Sequence, residues 1–220
     1  MIWSLKAVPP LSDTEFVQWS TLLEKRAGLY LGAQQRSFLQ TQITLRMREL
    51  GVATYADYYR CVVDGVAGRV EWSQLIDQLV VKETMFFRHQ ASIDCVTGHF
   101  EKRLPSLADN ECFEVWSVGC SSGEEPYSLG VALADVCKRR GVENRFGIAG
   151  TDISRAALSL AKAGLYHKRK MALLPTDLFE QYFSPVDASA NISTACMMSL
   201  PMADAVSPST AIVPSVGSMP

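Results

Sequence analysis

The chain has 220 residues and a net charge of −2, with a sequence pI near 5.9, a balance that argues against a general nucleic-acid binder. Its 48% hydrophobic content suffices for one medium domain or two small ones with real cores, and with no signal-cleavage pattern and no apolar run near the roughly 20 residues of a spanning helix, a cytosolic protein is expected. Six cysteines without a C-x-x-C pair, and three histidines away from metal-ligand spacing, predict reduced, mostly buried thiols and no metal.

Residues 11–89 read as a helical unit. Ser12 and Glu15 form an S-x-x-E capping box, after which Phe16, Trp19, Leu22 and Leu23 recur at helical spacing until Gly28. A second helix is predicted from about 34 to 50, with Leu39, Ile43, Met47 and Leu50 as its apolar stripe and Gly51 as its stop. A third starts near Thr54, with Asp57 three residues on, and a fourth lies around Trp72, Leu75, Ile76, Leu79 and Val80. Four short amphipathic helices make a small bundle, with Gly51, Gly65 and Gly68 expected in its loops. The second helix also carries Arg36, Arg46 and Arg48, which cannot all lie on the buried stripe; an ordinary solvated face is the plain reading. In the run VKETMFFRH, residues 81–89, Phe86 and Phe87 are expected to close the bundle against the next domain and Arg88 to form a surface ion pair.

A linking helix follows over 91–105, with Phe100 and Leu104 at i, i+4. The run GCSSGEEPYSLG, residues 119–130, then sits behind the strand-like Cys112, Phe113, Val115, Trp116 and Val118. Gly119 and Gly123 permit close backbone approach, and Pro126 suits the first turn of a helix reaching about residue 140. Taken alone, G-x-x-x-G after a strand fits a plain turn as well as a cofactor loop. A second strand over 145–151 and a helix over 154–164 complete a strand and helix alternation, which predicts a parallel sheet and an α/β class. Asp152, at the end of the second strand, is placed either to accept hydrogen bonds from ribose hydroxyls or to cap the next helix, a task that Ser154 can perform instead. Glu124 reads as a dipole-favoured acid near a helix start. From about residue 186 the chain is rich in Ala, Ser, Met and Pro, with no Lys or Arg after Lys170, and reads as disordered.

GCSS followed by GEEPYSL resembles the S-adenosylmethionine loop of the CheR family, the chemotaxis receptor methyltransferases that esterify glutamate side chains on chemoreceptors. KETMFFR is similar to that family's N-E-T-x-F-F-R signature, GTDIS to its second-strand motif, and residues 163–183 to the stretch after it. The resemblance implies a small N-terminal helical bundle over 1–90 that docks on receptors, then a Rossmann-like methyltransferase domain over 91–185, with S-adenosyl-L-methionine as cofactor. It assigns Thr84, Arg88, Glu125 and Asp152 to the cofactor and Arg88 also to the reaction centre, where it is the catalytic candidate. Lys82 stands where the family has asparagine, so the contact of that asparagine is not carried over. The second helix corresponds to the family's basic docking face, which implies that Arg36, Arg46 and Arg48 meet the acidic cytoplasmic domain of a chemoreceptor, steering encounter more than adding affinity. Family members continue for roughly another hundred residues, a normal domain size, with an R-N-x-x-I-Y-F strand that has no counterpart here. The expectation is therefore a chain truncated or frameshifted after about residue 185, with an incomplete catalytic sheet and a non-native tail over 186–220. Two functions follow: a receptor glutamate methyltransferase acting as a monomer, or a catalytically impaired module that keeps the receptor-docking bundle.

Overall fold

In a computed structural model that describes residues 9–81, 83–185 and 195–198, the chain divides into two units, Met1–Val81 and Lys82–Pro220. The division falls before the KETMFFR run and not at residue 90. Phe86 and Phe87 enter the core of the second unit, and the Phe86 amide donates to the Lys170 carbonyl at 3.0 Å.

The first unit is built from α1 (Asp13–Ala27), α2 (Arg36–Leu50), α3 (Tyr55–Val63) and α4 (Gly65–Leu79). The capping box forms as expected: the Glu15 amide donates to Ser12 Oγ at 3.3 Å, and the Ser12 amide to Glu15 Oε2 at 2.9 Å. These reciprocal bonds satisfy amides that α1 cannot pair within itself. The core joins Trp19, Leu23, Leu39, Ile43, Tyr58 and Leu75, with Trp19 stacked on Tyr58 at a centroid distance of 5.4 Å. Gly68 lies within α4 and not in a loop. A Cβ there would stand 2.9 Å from the Cys61 and Val62 carbonyl oxygens, so glycine lets α4 cross close over α3.

The arginines of α2 do not share one outward face. Arg46 is buried with 6% of its surface exposed, and its Nε donates to Glu71 Oε1 at 2.8 Å while Nη2 pairs with Glu71 Oε2 at 2.5 Å. It also bonds Glu49 and Gln74, and the Tyr58 hydroxyl donates to Glu71 Oε1 at 2.7 Å. A guanidinium surrounded in this way meets the unit's own acids, which withdraws Arg46 from any docking face. Arg36 turns back on the start of α1, with Nε donating to the Leu11 carbonyl at 3.1 Å and Nη1 to Asp13 Oδ1 at 2.5 Å. Arg48 stays exposed.

The second unit opens with α5 (Gln90–Arg103), followed by β1 (Phe113–Val118), α6 (Glu124–Arg140), β2 (Phe146–Thr151) and α7 (Arg155–Ala163). Strands β1 and β2 pair in parallel from Phe113 with Phe146 to Val118 with Thr151, the arrangement that strand and helix alternation predicts. Beyond α7 come β3 (Leu165–His167), α8 (Thr176–Tyr182), β4 (Phe183–Pro185) and β5 (Ala195–Met198). These three strands form an antiparallel sheet ordered β3, β5, β4. The core gathers Phe86, Phe100, Val131, Leu133, Ile148 and Phe183, with the Phe86 ring edge-on to Tyr166 and Phe183 at 4.8 and 5.1 Å. Most of the expected disordered tail lies outside the described residues. Its described part, Ala195–Met198, pairs with a strand on each side; an average over a biased composition hides a short run that needs only two neighbours to satisfy its backbone. No helix among the described residues is long and apolar enough to cross a membrane.

Candidate cofactor site

The ends of β1 and β2 and the loop before α6 make one hydrogen-bonded turn. The Gly119 and Cys120 amides both donate to the Thr151 carbonyl, at 2.8 and 2.9 Å, which prolongs the strand pairing into the loop. The chain then turns through left-handed conformations at Gly119, Ser121 and Gly123, with φ of 75°, 50° and 94°. Gly123 has a second requirement, since a Cβ there would lie 2.8 Å from both Ala161 Cβ and the Tyr166 hydroxyl. Ser121 holds its conformation without that freedom, and its amide donates to Asp152 Oδ2 at 2.8 Å.

Asp152 is therefore the tie between the glycine loop and the end of β2. Its Oδ1 accepts from the Ser154 amide at 2.8 Å, while Ser154 caps α7 by accepting from the Ala157 amide at 3.0 Å. Capping thus belongs to Ser154, and each Asp152 oxygen retains acceptor capacity beyond its one backbone donor. Glu125 is exposed, and its Oε1 accepts from the buried Ser117 hydroxyl at 2.7 Å. Its neighbour differs: Glu124 is fully buried, with Oε2 accepting from Ser122 Oγ at 2.7 Å and Oε1 standing 3.1 Å from Lys170 Nζ. The Cys120 thiol is pushed up to about 12 by burial and by the nearby Asp152 charge, so it stays protonated and inert at neutral pH.

The KETMFFR run is anchored to the same helix start. Phe87 adopts a left-handed φ of 55°, rare for an aromatic residue, while its amide donates to the Ser128 hydroxyl at 2.9 Å. Ser128 in turn donates to the Glu124 carbonyl at 2.6 Å. Such a conformation persists only where neighbours fix it, and here a buried ring and a buried hydroxyl do so. Thr84 is half-buried, and its carbonyl accepts from Lys170 Nζ at 2.6 Å. Arg88 is exposed, and its Nη1 donates to the Glu83 carbonyl at 2.6 Å, in place of the surface ion pair expected of it.

The structure brings Asp152, Ser121, Ser117 and Glu125 to the carboxyl ends of the two parallel strands, and ties the Thr84 backbone to Glu124 at the start of α6. Among the described residues, Arg88 makes no hydrogen bond or ion pair with Asp152 or Glu125 and bonds the carbonyl of its own segment. Sequence reasoning missed Ser121, Ser128 and Lys170. The first two sit inside motifs and were readable as polar groups next to positive-φ or buried backbone; Lys170 lies 86 residues from Thr84 in a basic run and gives no local signal.

S-adenosylmethionine requires close backbone approach and acceptors for ribose hydroxyls, and both are present. A Cβ at Gly119 would meet nothing within 4 Å, so the backbone at this turn is open to an approaching group. A glycine loop at the carboxyl ends of parallel strands, with an acid closing the second strand, defines a Rossmann-like domain that binds a nucleoside-bearing cofactor. Residues 82–200 match the CheR methyltransferase SAM-binding domain, and residues 14–80 match the CheR methyltransferase all-alpha domain. The chain belongs to the CheR methyltransferase family, and its second unit is that family's S-adenosyl-L-methionine domain. The family match runs to residue 200, past the limit near 185 that the motifs suggested.

Among curated relatives, the chemotaxis protein methyltransferase of Klebsiella aerogenes is 30% identical over 174 residues, covering 79% of this chain and 57% of that protein. The Escherichia coli K12 protein of the same name is 28% identical over 173 residues, with the same coverage of each. Chemotaxis protein methyltransferase 1 of Pseudomonas aeruginosa is 26% identical over 175 residues, covering 78% of this chain and 63% of its own length. The chain thus spans about 57% of the length of the first two relatives it matches.

Proposed function

We propose that this chain transfers a methyl group from S-adenosyl-L-methionine to glutamate carboxylates of a chemoreceptor's cytoplasmic domain, forming methyl esters. The observation that carries the reading is Asp152: it closes β2, holds the Ser121 amide of the glycine loop at 2.8 Å, and keeps acceptor capacity at the carboxyl ends of the parallel strands. Asp152 and Glu125 would hold the nucleoside end through their remaining lone pairs. Thr84 would offer its hydroxyl from the same wall, and Arg88 would swing from the Glu83 carbonyl to a carboxylate of cofactor or substrate.

The bound cofactor supplies an electrophilic methyl group. The chain's own part is positioning, because a glutamate side chain with a pKa near ~4.3 is already an anion at neutral pH and needs no general base. Holding two reactants in line can lower a barrier by roughly 7 to 11 kcal/mol, which assigns the residues above to orientation and the exclusion of water. In the helical unit, Arg48 is the exposed member of the three arginines considered for receptor docking, so an acidic partner would meet Arg48 and not the buried Arg46.

Incubation with methyl-labelled cofactor and a receptor cytoplasmic fragment tests the proposal. The expected outcome is base-labile label on the receptor that is lost in Arg88→Ala. Absence of base-labile label above the no-protein background, at a cofactor concentration that saturates binding, would remove the transferase reading and leave the docking module.

A further inference from the structure

Lys170 lies on the short turn after β3 and contacts two walls of the cofactor site at once. Its Nζ donates to the Thr84 carbonyl at 2.6 Å and lies 3.1 Å from Glu124 Oε1. Its own carbonyl accepts from the Phe86 amide at 3.0 Å. Four residues earlier in the same segment, the Tyr166 hydroxyl donates to the Ser122 carbonyl at 2.7 Å, and its ring packs edge-on against Phe86. One strand and turn therefore hold the KETMFFR run on one side and the glycine loop on the other.

We propose that this segment is a clasp that preorganises the cofactor site, with Lys170 as its ionic pin: a positioning residue that never touches the cofactor. Glu124 Oε1 is buried and accepts no hydrogen bond among the described residues, so its charge is balanced by ion pairing with Lys170 Nζ. Removing that ammonium leaves a buried carboxylate without its counter-charge. Glu124 is the first residue of α6 and its Oε2 receives the Ser122 hydroxyl at 2.7 Å, so movement of Glu124 toward water drags the loop open and releases the Thr84 backbone with it. Such a loop still folds but spends less time in the binding geometry. If the competent fraction falls to about a tenth, apparent affinity falls about tenfold.

The inference rests on the cofactor reading above, and the same titration separates the two. S-adenosylhomocysteine is titrated into wild type, Lys170→Met, Lys170→Arg and the double variant Lys170→Met/Glu124→Gln, with thermal melting of each unliganded protein alongside. Wild-type binding that weakens about tenfold or more in Lys170→Met and is largely kept in Lys170→Arg supports the clasp. In the unliganded Lys170→Met protein, amide exchange should quicken at Ser121 and Gly123 but not at Ile148 in β2, a change that general destabilisation would not confine to the loop. Should Lys170→Met fail to fold, the double variant, which carries no unpaired buried charge, is expected to fold and still bind more weakly than wild type. Equal affinity of wild type and whichever of the two Lys170→Met proteins folds overturns the clasp while leaving the cofactor site intact. No binding by wild type overturns both.

Discussion

Each unit of this protein buries an ion pair, and the two pairs differ in what surrounds them. In the helical unit Arg46 and Glu71 have side chains equally hidden, at 8% exposure each, and Tyr58 and Gln74 complete the shell. In the second unit Glu124 is sealed at 1% while Lys170 keeps 28% of its side chain exposed, and the neighbouring Asp152 and Glu125 retain unused acceptors. A closed network fixes how helices cross and presents nothing to a ligand. An open one holds a loop in shape beside carboxylates with capacity to accept from a ligand, which is why the second unit, and not the more heavily charged interior of the first, reads as the site of chemistry.

The comparison breaks most visibly at Arg46. Arg46→Met strands Glu71, and urea unfolding is expected to show a loss of about 3 to 5 kcal/mol in the helical unit, much of it restored when Glu71 is also made apolar. A loss of under about 1 kcal/mol would mean that the pair is solvated like a surface bridge. In the second unit Gly123→Ala forces a Cβ to 2.8 Å from Ala161 and Tyr166 at a φ of 94°. Overpacking of this kind costs about 1 to 3 kcal/mol, read as a lower melting temperature together with weaker cofactor binding. Asp152→Asn keeps the shape but weakens a charged acceptor worth about 1.5 to 3 kcal/mol, so S-adenosylhomocysteine affinity should drop by about tenfold to a hundredfold, with a lower melting temperature because one of the two backbone amides loses its acceptor; an unchanged affinity would move the ribose elsewhere.

The smallest effect is alkaline. Burial raises Cys120 from 9.0 to about 12, and it also raises Tyr127 and Tyr166. The folded state holds these protons more tightly than the unfolded chain, so the stabilisation is complete below pH 9.0 and is lost as pH rises toward 12. Urea midpoints should fall between about pH 8 and pH 11, less steeply in Cys120→Ala than in wild type. Iodoacetamide at pH 8 should label the exposed Cys61, Cys95 and Cys112 and spare Cys120 and Cys137.

What was legible in the sequence was local. Ser12 and Glu15, Thr54 and Asp57, Gly51 and the GEEP helix start announce their elements because their partners lie within a few residues, and each forms as read. Arg46 misled because periodicity places a residue on a helix but does not say whether an acid from another helix waits there, and Glu71 is 25 residues away. Gly68 misled for a similar reason: glycine reads as a loop until a neighbouring carbonyl shows why a Cβ is excluded. In the candidate site, Asp152 and Glu125 were singled out by strand-end position and motif, whereas Lys170 is defined by contacts with residues far upstream and leaves no trace in spacing.

The central claim is that the second unit's loop, tied by Asp152, is the cofactor site, and calorimetric titration of the full chain with S-adenosylhomocysteine tests it most directly. The account expects saturable single-site binding by wild type, sharply weaker binding by Asp152→Ala, and unchanged binding by Tyr30→Ser at an exposed position of the helical unit. Wild-type protein that is folded yet gives no saturable heat, or Asp152→Ala that binds as wild type does, would contradict it.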